Sequence, residues 1–210
     1  MTSYFSNMVV FGQCMAHADD LGRHEQILLQ LIQAGNSFLP IAADCAAPLA
    51  KEPYAKACFV GSGPLRAVAK QSALKLLELT AGKVVTMSES ALGLRHGPMA
   101  ALDQDMLFVC FLSGNKRVQQ YERNVLEEIG SKRLVTTRVV VGGSAVSAMN
   151  SAAIAVADDY RLAVDVMFGQ VLVFFAVMAT ATRLSKSKRR HQPCGTECQR
   201  LFLIETPQPA

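Results

Sequence analysis

The sequence predicts an α/β fold: a doubly wound, mainly parallel sheet of about five strands flanked by helices. Two observations support this prediction. Short apolar runs alternate along the chain with longer segments of helix-forming residues. The most apolar run, residues 106–112, shows no alternation of apolar and polar positions, which is typical of a parallel strand buried on both faces. Such strands need helices on both sides of the sheet.

The predicted elements follow one another in alternating order. Residues 65–80 and 116–129 are rich in helix formers, and each follows an apolar run that ends in a turn. The predicted strands are residues 56–60, 83–87, 106–112, 138–141 and 153–156.

A helical segment precedes the sheet. Apolar residues recur at helical spacing over residues 21–39, and Gly35, Asn36 and Ser37 are expected to end that helix in a turn. Residues 42–53, rich in alanine and proline, are expected to connect it to the main domain. We therefore place the domain boundary near residue 45, with the main domain at 46–182 and a basic tail at 183–210.

Composition restricts the class of protein. With 210 residues, half of them hydrophobic and 18% charged, the chain can bury the core of one main domain. The first residues lack a basic segment followed by an apolar one, so no secretory signal is expected and the predicted compartment is the cytoplasm. The six cysteines are scattered and should be reduced.

The net charge of +4 comes mainly from basic residues within 183–190. No aromatic residues alternate with them to stack on bases, so we expect a solvated tail and no nucleic-acid partner. His191, Cys194 and Cys198 lack the paired spacing of zinc ligands, and we predict no metal site.

Residues 163–182 are nearly long and apolar enough to cross a bilayer, and the basic cluster follows them. A membrane-anchored protein is therefore an alternative. Asp165, Gly169 and Gln170 interrupt the run, and a helix packed on a buried sheet can be equally apolar. We favour a core helix and no membrane partner.

Three positions could carry chemistry. Gly61, Ser62 and Gly63, between a strand and a helix, could bring backbone amides to an anion, although a tight structural turn explains these glycines equally well. A dinucleotide fingerprint would need a third glycine where Arg66 stands.

The other two positions are Glu78 and His96. Helical phase directs Glu78 away from the apolar stripe of its helix, so the residue pattern alone describes a solvated glutamate. His96 is expected in a constrained loop between two strands, where function tends to lie in α/β sheets, although a lone histidine is more often structural.

Three correctly spaced sequence blocks resemble those of a known protein family. Residues 61–64 (G-S-G-P), 73–83 (A-L-K-x-x-E-L-T-A-G-K) and 95–98 (R-H-G-P) closely resemble the second sugar-isomerase (SIS) domain of the tagatose-6-phosphate ketose/aldose isomerase family, which includes galactosamine-6-phosphate deaminases. The resemblance is more distant to the isomerase half of glucosamine-6-phosphate synthase. It covers residues 56–175, with Phe168, Gly169 and Gln170 fitting the family's last core helix.

The resemblance implies a function. Glu78 would move a proton between C1 and C2 of an opened sugar phosphate, and His96 would help to open the ring, in a site that a neighbouring subunit can share. Gly61, Ser62, Gly63 and Arg95 would bind substrate. The implied substrate is tagatose 6-phosphate or galactosamine 6-phosphate, with no cofactor, and the implied assembly is a homo-oligomer.

The chain also departs from this family. Family members carry two SIS domains, and the Ser/Thr-rich loop that grips the sugar phosphate belongs mainly to the first. Here residues 1–8 resemble only the closing segment of that domain, which makes residues 1–45 its remnant plus a connecting helix. Residues 193–196 resemble a P-x-G-T element, but the following residues do not match. A non-catalytic SIS module that binds a sugar phosphate or a regulatory partner is therefore the alternative function.

Overall fold

The computed structural model describes residues 4–142 and 158–188. In chain order the elements are α1 (Tyr4–Ala16), α2 (Leu21–Leu49), β1 (Lys56–Gly61), α3 (Leu65–Leu79), β2 (Val85–Glu89), α4 (Ala91–His96), a short 3₁₀ helix (Pro98–Ala101), β3 (Met106–Phe111), α5 (Lys116–Ser131), β4 (Thr137–Val141) and α6 (Asp158–Lys188). Strands and helices alternate from β1 onward, as predicted.

The described strands form one parallel sheet in the order β2-β1-β3-β4. In the centre of the sheet, Val60 of β1 pairs with Glu89 of β2 on one side and with Cys110 of β3 on the other. The predicted α/β class and parallel sheet are confirmed. The predicted fifth strand, residues 153–156, lies outside the described residues.

Helices cover both faces of the sheet, so the central strands β1 and β3 are buried on two sides. Phe59 and Val109 face the core formed with α2, α3 and α6. Cys58 and Phe108, one position away on the same strands, face the core formed with α4 and α5. Successive side chains of a strand point to opposite faces, which is why the run 106–112 contains no polar position.

The first long helix does not end where the sequence predicted. Helix α2 continues through Gly35, Asn36 and Ser37 to Leu49, so the predicted turn is wrong. Continuing the helix buries Phe38, and Gly35 lies so close to α6 that an added Cβ would be 3.4 Å from Met167 Sδ. Burial of this face outweighs the weak helix propensity of glycine.

The longer α2 also shortens the predicted connector. Only the residues between Leu49 and Lys56 link α2 to the sheet, because residue 45 lies inside the helix. The domain division at 45 therefore remains a prediction.

Helix α6 packs between α2 and α3. Its segment Tyr160–Ala179 is long and apolar enough to cross a membrane by length and composition, and 44% of it is buried in this fold. Val166, Phe168 and Leu172 belong to the core beneath the sheet. The predicted core helix is thus present. The candidate ligands at 191–198 and the element at 193–196 lie outside the described residues.

Candidate functional site

The turn after β1 is formed by Gly61, Ser62 and Gly63, called here the 61–63 turn. A Cβ at Gly61 would lie 2.7 Å from the carbonyl carbon of Leu65, and Gly63 has φ +55°, so both positions require glycine. Ser62 Oγ accepts a hydrogen bond of 3.4 Å from the backbone N–H of Ala91, at the start of α4. These contacts make the turn a structural junction between β1, α3 and α4.

Glu78 lies in the last turn of α3, on its exposed side. The side chain is 46% exposed, and its Oε2 lies 2.7 Å from Nζ of Lys75. The outward orientation predicted from helical phase is confirmed. Since α3 begins at the carboxyl ends of the strands and rises 1.5 Å per residue, Glu78 lies about 20 Å along the helix from its start. The described residues therefore do not bring Glu78 next to the 61–63 turn.

His96 is exposed and is the last residue of α4. The sequence predicted a loop here, which is wrong: Ser90 Oγ accepts a hydrogen bond of 3.0 Å from the N–H of Gly93 and starts a short helix. At Gly97 a Cβ would lie 2.8 Å from the carbonyl oxygen of Gly93, so only glycine fits where that helix ends. Pro98 then begins the 3₁₀ turn.

Arg95 and His96 lie beside α5. Arg95 Nε is 3.0 Å from Glu128 Oε2, and Lys132 Nζ is 2.6 Å from Glu128 Oε1. The hydrogen bond from Lys132 is the main reason that the pKa of the Glu128 carboxyl lies below its usual value, and the positive charges of Lys132, Arg95 and His96 lower that pKa further. Arg95 thus has a structural partner within this chain.

This cluster gives a first prediction. Replacing Lys132 with Met should raise the pKa of Glu128 towards its ordinary value, because the largest stabilising contact of the carboxylate is removed. In the native protein, the stabilisation that Glu128 gives is present above its unfolded pKa and is lost as the pH falls through its lower folded pKa. NMR titration of the Glu128 carboxyl carbon measures the shift. Lys70→Met, at an exposed position on α3, is the control; an unchanged Glu128 pKa in Lys132→Met would contradict the assignment.

Two ion pairs near the site were not expected from the sequence. Arg66, the residue that argued against a dinucleotide fingerprint, has its Nη2 3.5 Å from Oε2 of Glu89 at the end of β2. The pair of Lys75 with Glu78 could have been found, because residues three apart lie on the same face of a helix. The Arg66–Glu89 pair joins distant segments and carries no local sequence signal.

A cavity of about 60 Å³ lies between the C-terminal ends of α2 and α3 and the middle of α6. Leu49, Tyr54, Leu76, Thr80 and Leu172 are among its lining residues. Pockets that hold small ligands measure about 300 Å³ or more, so this cavity does not accommodate a sugar phosphate. Within the described ranges, no group of three or more His, Cys, Asp and Glu side chains is placed to hold a metal ion.

Comparison with known proteins identifies relatives, although no family model matches the chain. It is 35% identical to the D-galactosamine-6-phosphate deaminase AgaS of Shewanella sp. (strain ANA-3) over 50% of this chain and 28% of that protein. It is 42% identical to the D-galactosamine-6-phosphate deaminase AgaS of Escherichia coli O157:H7 over 37% of this chain and 20% of that protein.

The fold has a close structural counterpart. The crystal structure of tagatose-6-phosphate ketose/aldose isomerase from Escherichia coli aligns with a TM-score of 0.64 at 23% identity, covering 71% of this chain and 43% of that one. The chain spans less than a third of the length of the two curated relatives. The curated relatives support the resemblance that the sequence blocks indicated, and the solved structure shows that the chain shares its fold.

Proposed function

We propose that this chain, a relative of the D-galactosamine-6-phosphate deaminases and tagatose-6-phosphate isomerases, is part of a cytoplasmic sugar-phosphate isomerase or deaminating isomerase. Glu78 is the acid–base residue of the proposal and His96 assists opening of the sugar ring. Arg95, Gly61, Ser62 and Gly63 are the proposed substrate-binding residues. The names of the relatives support an enzyme rather than a non-catalytic binding module.

The observation that carries this proposal is the Lys75–Glu78 pair on an exposed face of α3. A carboxylate can take a proton from one carbon of an opened sugar and return it to the neighbouring carbon within one site. The Lys75 ammonium lies 2.7 Å away and forms an ion pair with that carboxylate. The exposed position of Glu78 is consistent with a site that a second domain or subunit completes.

Both proposed reactions need only side chains that transfer protons. In aldose–ketose isomerisation the proton that leaves C2 of the aldose is returned to C1, through an enediol. With an amino sugar phosphate, the corresponding enamine gives an imine, whose hydrolysis releases ammonia. No redox step occurs and acid–base side chains suffice for the proton transfer, so the proposal includes no metal and no organic cofactor.

A second prediction tests this function. Purified chain should release little or no ammonia from galactosamine 6-phosphate, because Glu78 lies far from the 61–63 turn and substrate orientation supplies much of the catalytic rate. A chimera that places this chain in the matched segment of the Shewanella deaminase should restore turnover. Full activity of the isolated chain would contradict a site that a second domain completes, and an inactive, well-folded chimera would contradict the proposed function.

We also propose that the chain forms a homo-oligomer, and α1 supports this. Helix α1 has no buried residue, and Tyr4, Met8, Phe11 and Met15 form an exposed stripe at helical spacing. Leu29, Ile32 and Leu39 are exposed on the neighbouring α2. Large exposed apolar patches commonly mark interaction surfaces.

A third prediction follows from this proposal. Replacing both Met8 and Phe11 with Glu should convert an oligomer into a monomer, because charge would enter the apolar stripe. Sedimentation equilibrium at micromolar concentration measures the mass of the wild type and the variant. The control replaces Gln26 and Gln30, exposed polar residues of α2, with Glu. A monomeric wild type would contradict the proposal.

A further inference from the structure

A second turn lies beside the 61–63 turn at the carboxyl edge of the sheet. Residues 112–115, called here the 112–115 turn, connect β3 to α5. In the order β2-β1-β3-β4, the connection after β1 leads to β2 on one side of the sheet centre, and the connection after β3 leads to β4 on the other side. Connections that diverge in this way leave a crevice between the two turns. Anionic groups commonly bind at such a crevice, on backbone N–H groups at the start of a helix.

In this chain a side-chain carboxylate lies at that position. Glu122 is on the buried face of α5, together with Val125, Leu126 and Ile129, and is only 1% exposed. Its Oε2 accepts a hydrogen bond of 2.7 Å from the backbone N–H of Ser113, a length typical of a charge-assisted bond. A carboxylate at a core position is costly unless such bonds stabilise it.

The electrostatics agree with this placement. Burial is the main reason that the pKa of the Cys110 thiol, on β3, lies well above its ordinary value, and the charge of Glu122 is the next largest contribution. Glu122 therefore lies close enough to the end of β3 for its charge to act on Cys110.

Other hydrogen-bonding groups of the turn are also used within the chain. The N–H of Asn115 donates to Ser113 Oγ at 3.0 Å, and Asn115 Oδ1 accepts from the N–H groups of Arg117 and Val118 at 3.0 and 3.4 Å. Gln119 Nε2 donates to the carbonyl oxygen of Ser113 at 2.9 Å. Arg161 Nη1 donates to the carbonyl oxygen of Leu112 at 3.2 Å, and Arg161 Nη2 lies 2.7 Å from Asp165 Oδ2, so the cation at this turn already has a carboxylate partner. A phosphate would have to displace these contacts as well as approach the carboxylate of Glu122.

We infer that Glu122 acts as a built-in anion that closes the 112–115 turn to phosphate. Its carboxylate takes the backbone donor that an anionic ligand would use, and its charge repels a second anion. A sugar-phosphate substrate therefore has its phosphate held elsewhere, at the 61–63 turn or by a surface that completes the site. This last consequence rests on the proposed function, whereas the closure itself does not.

Inorganic phosphate is the probe for this inference, and the full 210-residue chain is the protein to test. In an amide NMR titration of the wild type, the signals of Ser113, Gly114 and Asn115 should show no saturable shift. Glu122→Gln keeps the shape and the acceptor for Ser113, but it removes the charge that repels a second anion and adds a donor. The signals of this turn should then show a saturable shift with phosphate. Glu127→Gln, an exposed change on the same helix, should behave like the wild type.

Two results would overturn the inference: saturable phosphate binding at the turn of the wild type, or a folded Glu122→Gln variant that binds phosphate no better. If that variant does not fold, the ionisation state of Glu122 in the wild type tests the inference, measured by NMR of its carboxyl carbon. An ionised carboxylate at neutral pH, titrating together with the Ser113 N–H signal, supports a built-in anion, and a protonated carboxyl overturns it. Neither result changes the ammonia-release assay, so the two proposals fail separately.

Discussion

Glu78→Gln, made in the active chimera, should lower kcat by about a hundredfold or more while leaving folding intact. The amide keeps the shape of the side chain and an acceptor for Lys75, but it cannot take a proton from the sugar. Because the change affects the transition state more than substrate binding, KM should move much less than kcat. The measurement is steady-state ammonia release from galactosamine 6-phosphate.

Glu25→Gln is the matched control for this prediction, because Glu25 is an exposed glutamate on α2. It should retain the kcat of the parent chimera. Normal turnover in Glu78→Gln would show that Glu78 is only a solvated partner of Lys75, as the helical pattern alone suggested. His96→Asn gives a separate test of ring opening, because it should impair the cyclic substrate more than an analogue held in the open form.

The second large effect concerns the crossing of α3 and α6. A Cβ at Gly169 would lie 2.6 Å from Ser72 Cβ and 3.3 Å from Ser72 Cα, too close for any rotamer change to relieve. We expect Gly169→Ala to lower the free energy of unfolding by about 1–3 kcal/mol, the usual cost of overpacking a core. Urea unfolding followed by circular dichroism measures this loss.

Two variants distinguish packing from helix propensity. Gly12→Ala in α1 places its Cβ where no atom of the described residues lies within 4 Å. The change should leave the free energy of unfolding unchanged or raise it by up to about 1 kcal/mol. Adding Ser72→Gly to Gly169→Ala should recover part of the lost stability, since the two positions contact each other. A Gly169→Ala protein as stable as the wild type would show that the two helices can separate at little cost.

Local patterns predicted much of the fold. The unbroken apolar run at β3 and the helix formers of α3 indicated buried parallel strands joined by helices, and the structure has them. The same local reasoning failed at α2, where Gly35 suggested a turn. The contacts that continue this helix come from α6, more than a hundred residues away along the chain, and no window around Gly35 contains them.

At the candidate site, too, some features follow from local sequence and others only from the tertiary structure. The sequence by itself carried the resemblance to the sugar-phosphate deaminases, in the blocks that contain Ser62, Glu78 and His96. It also determined that Glu78 faces outward, because helical phase is a local property. Only the tertiary structure decided that Glu78 lies far from the 61–63 turn, and that Glu122 is buried against the N–H of Ser113. Periodicity fixes which face of a helix a residue occupies, but the path of the chain decides what that face meets.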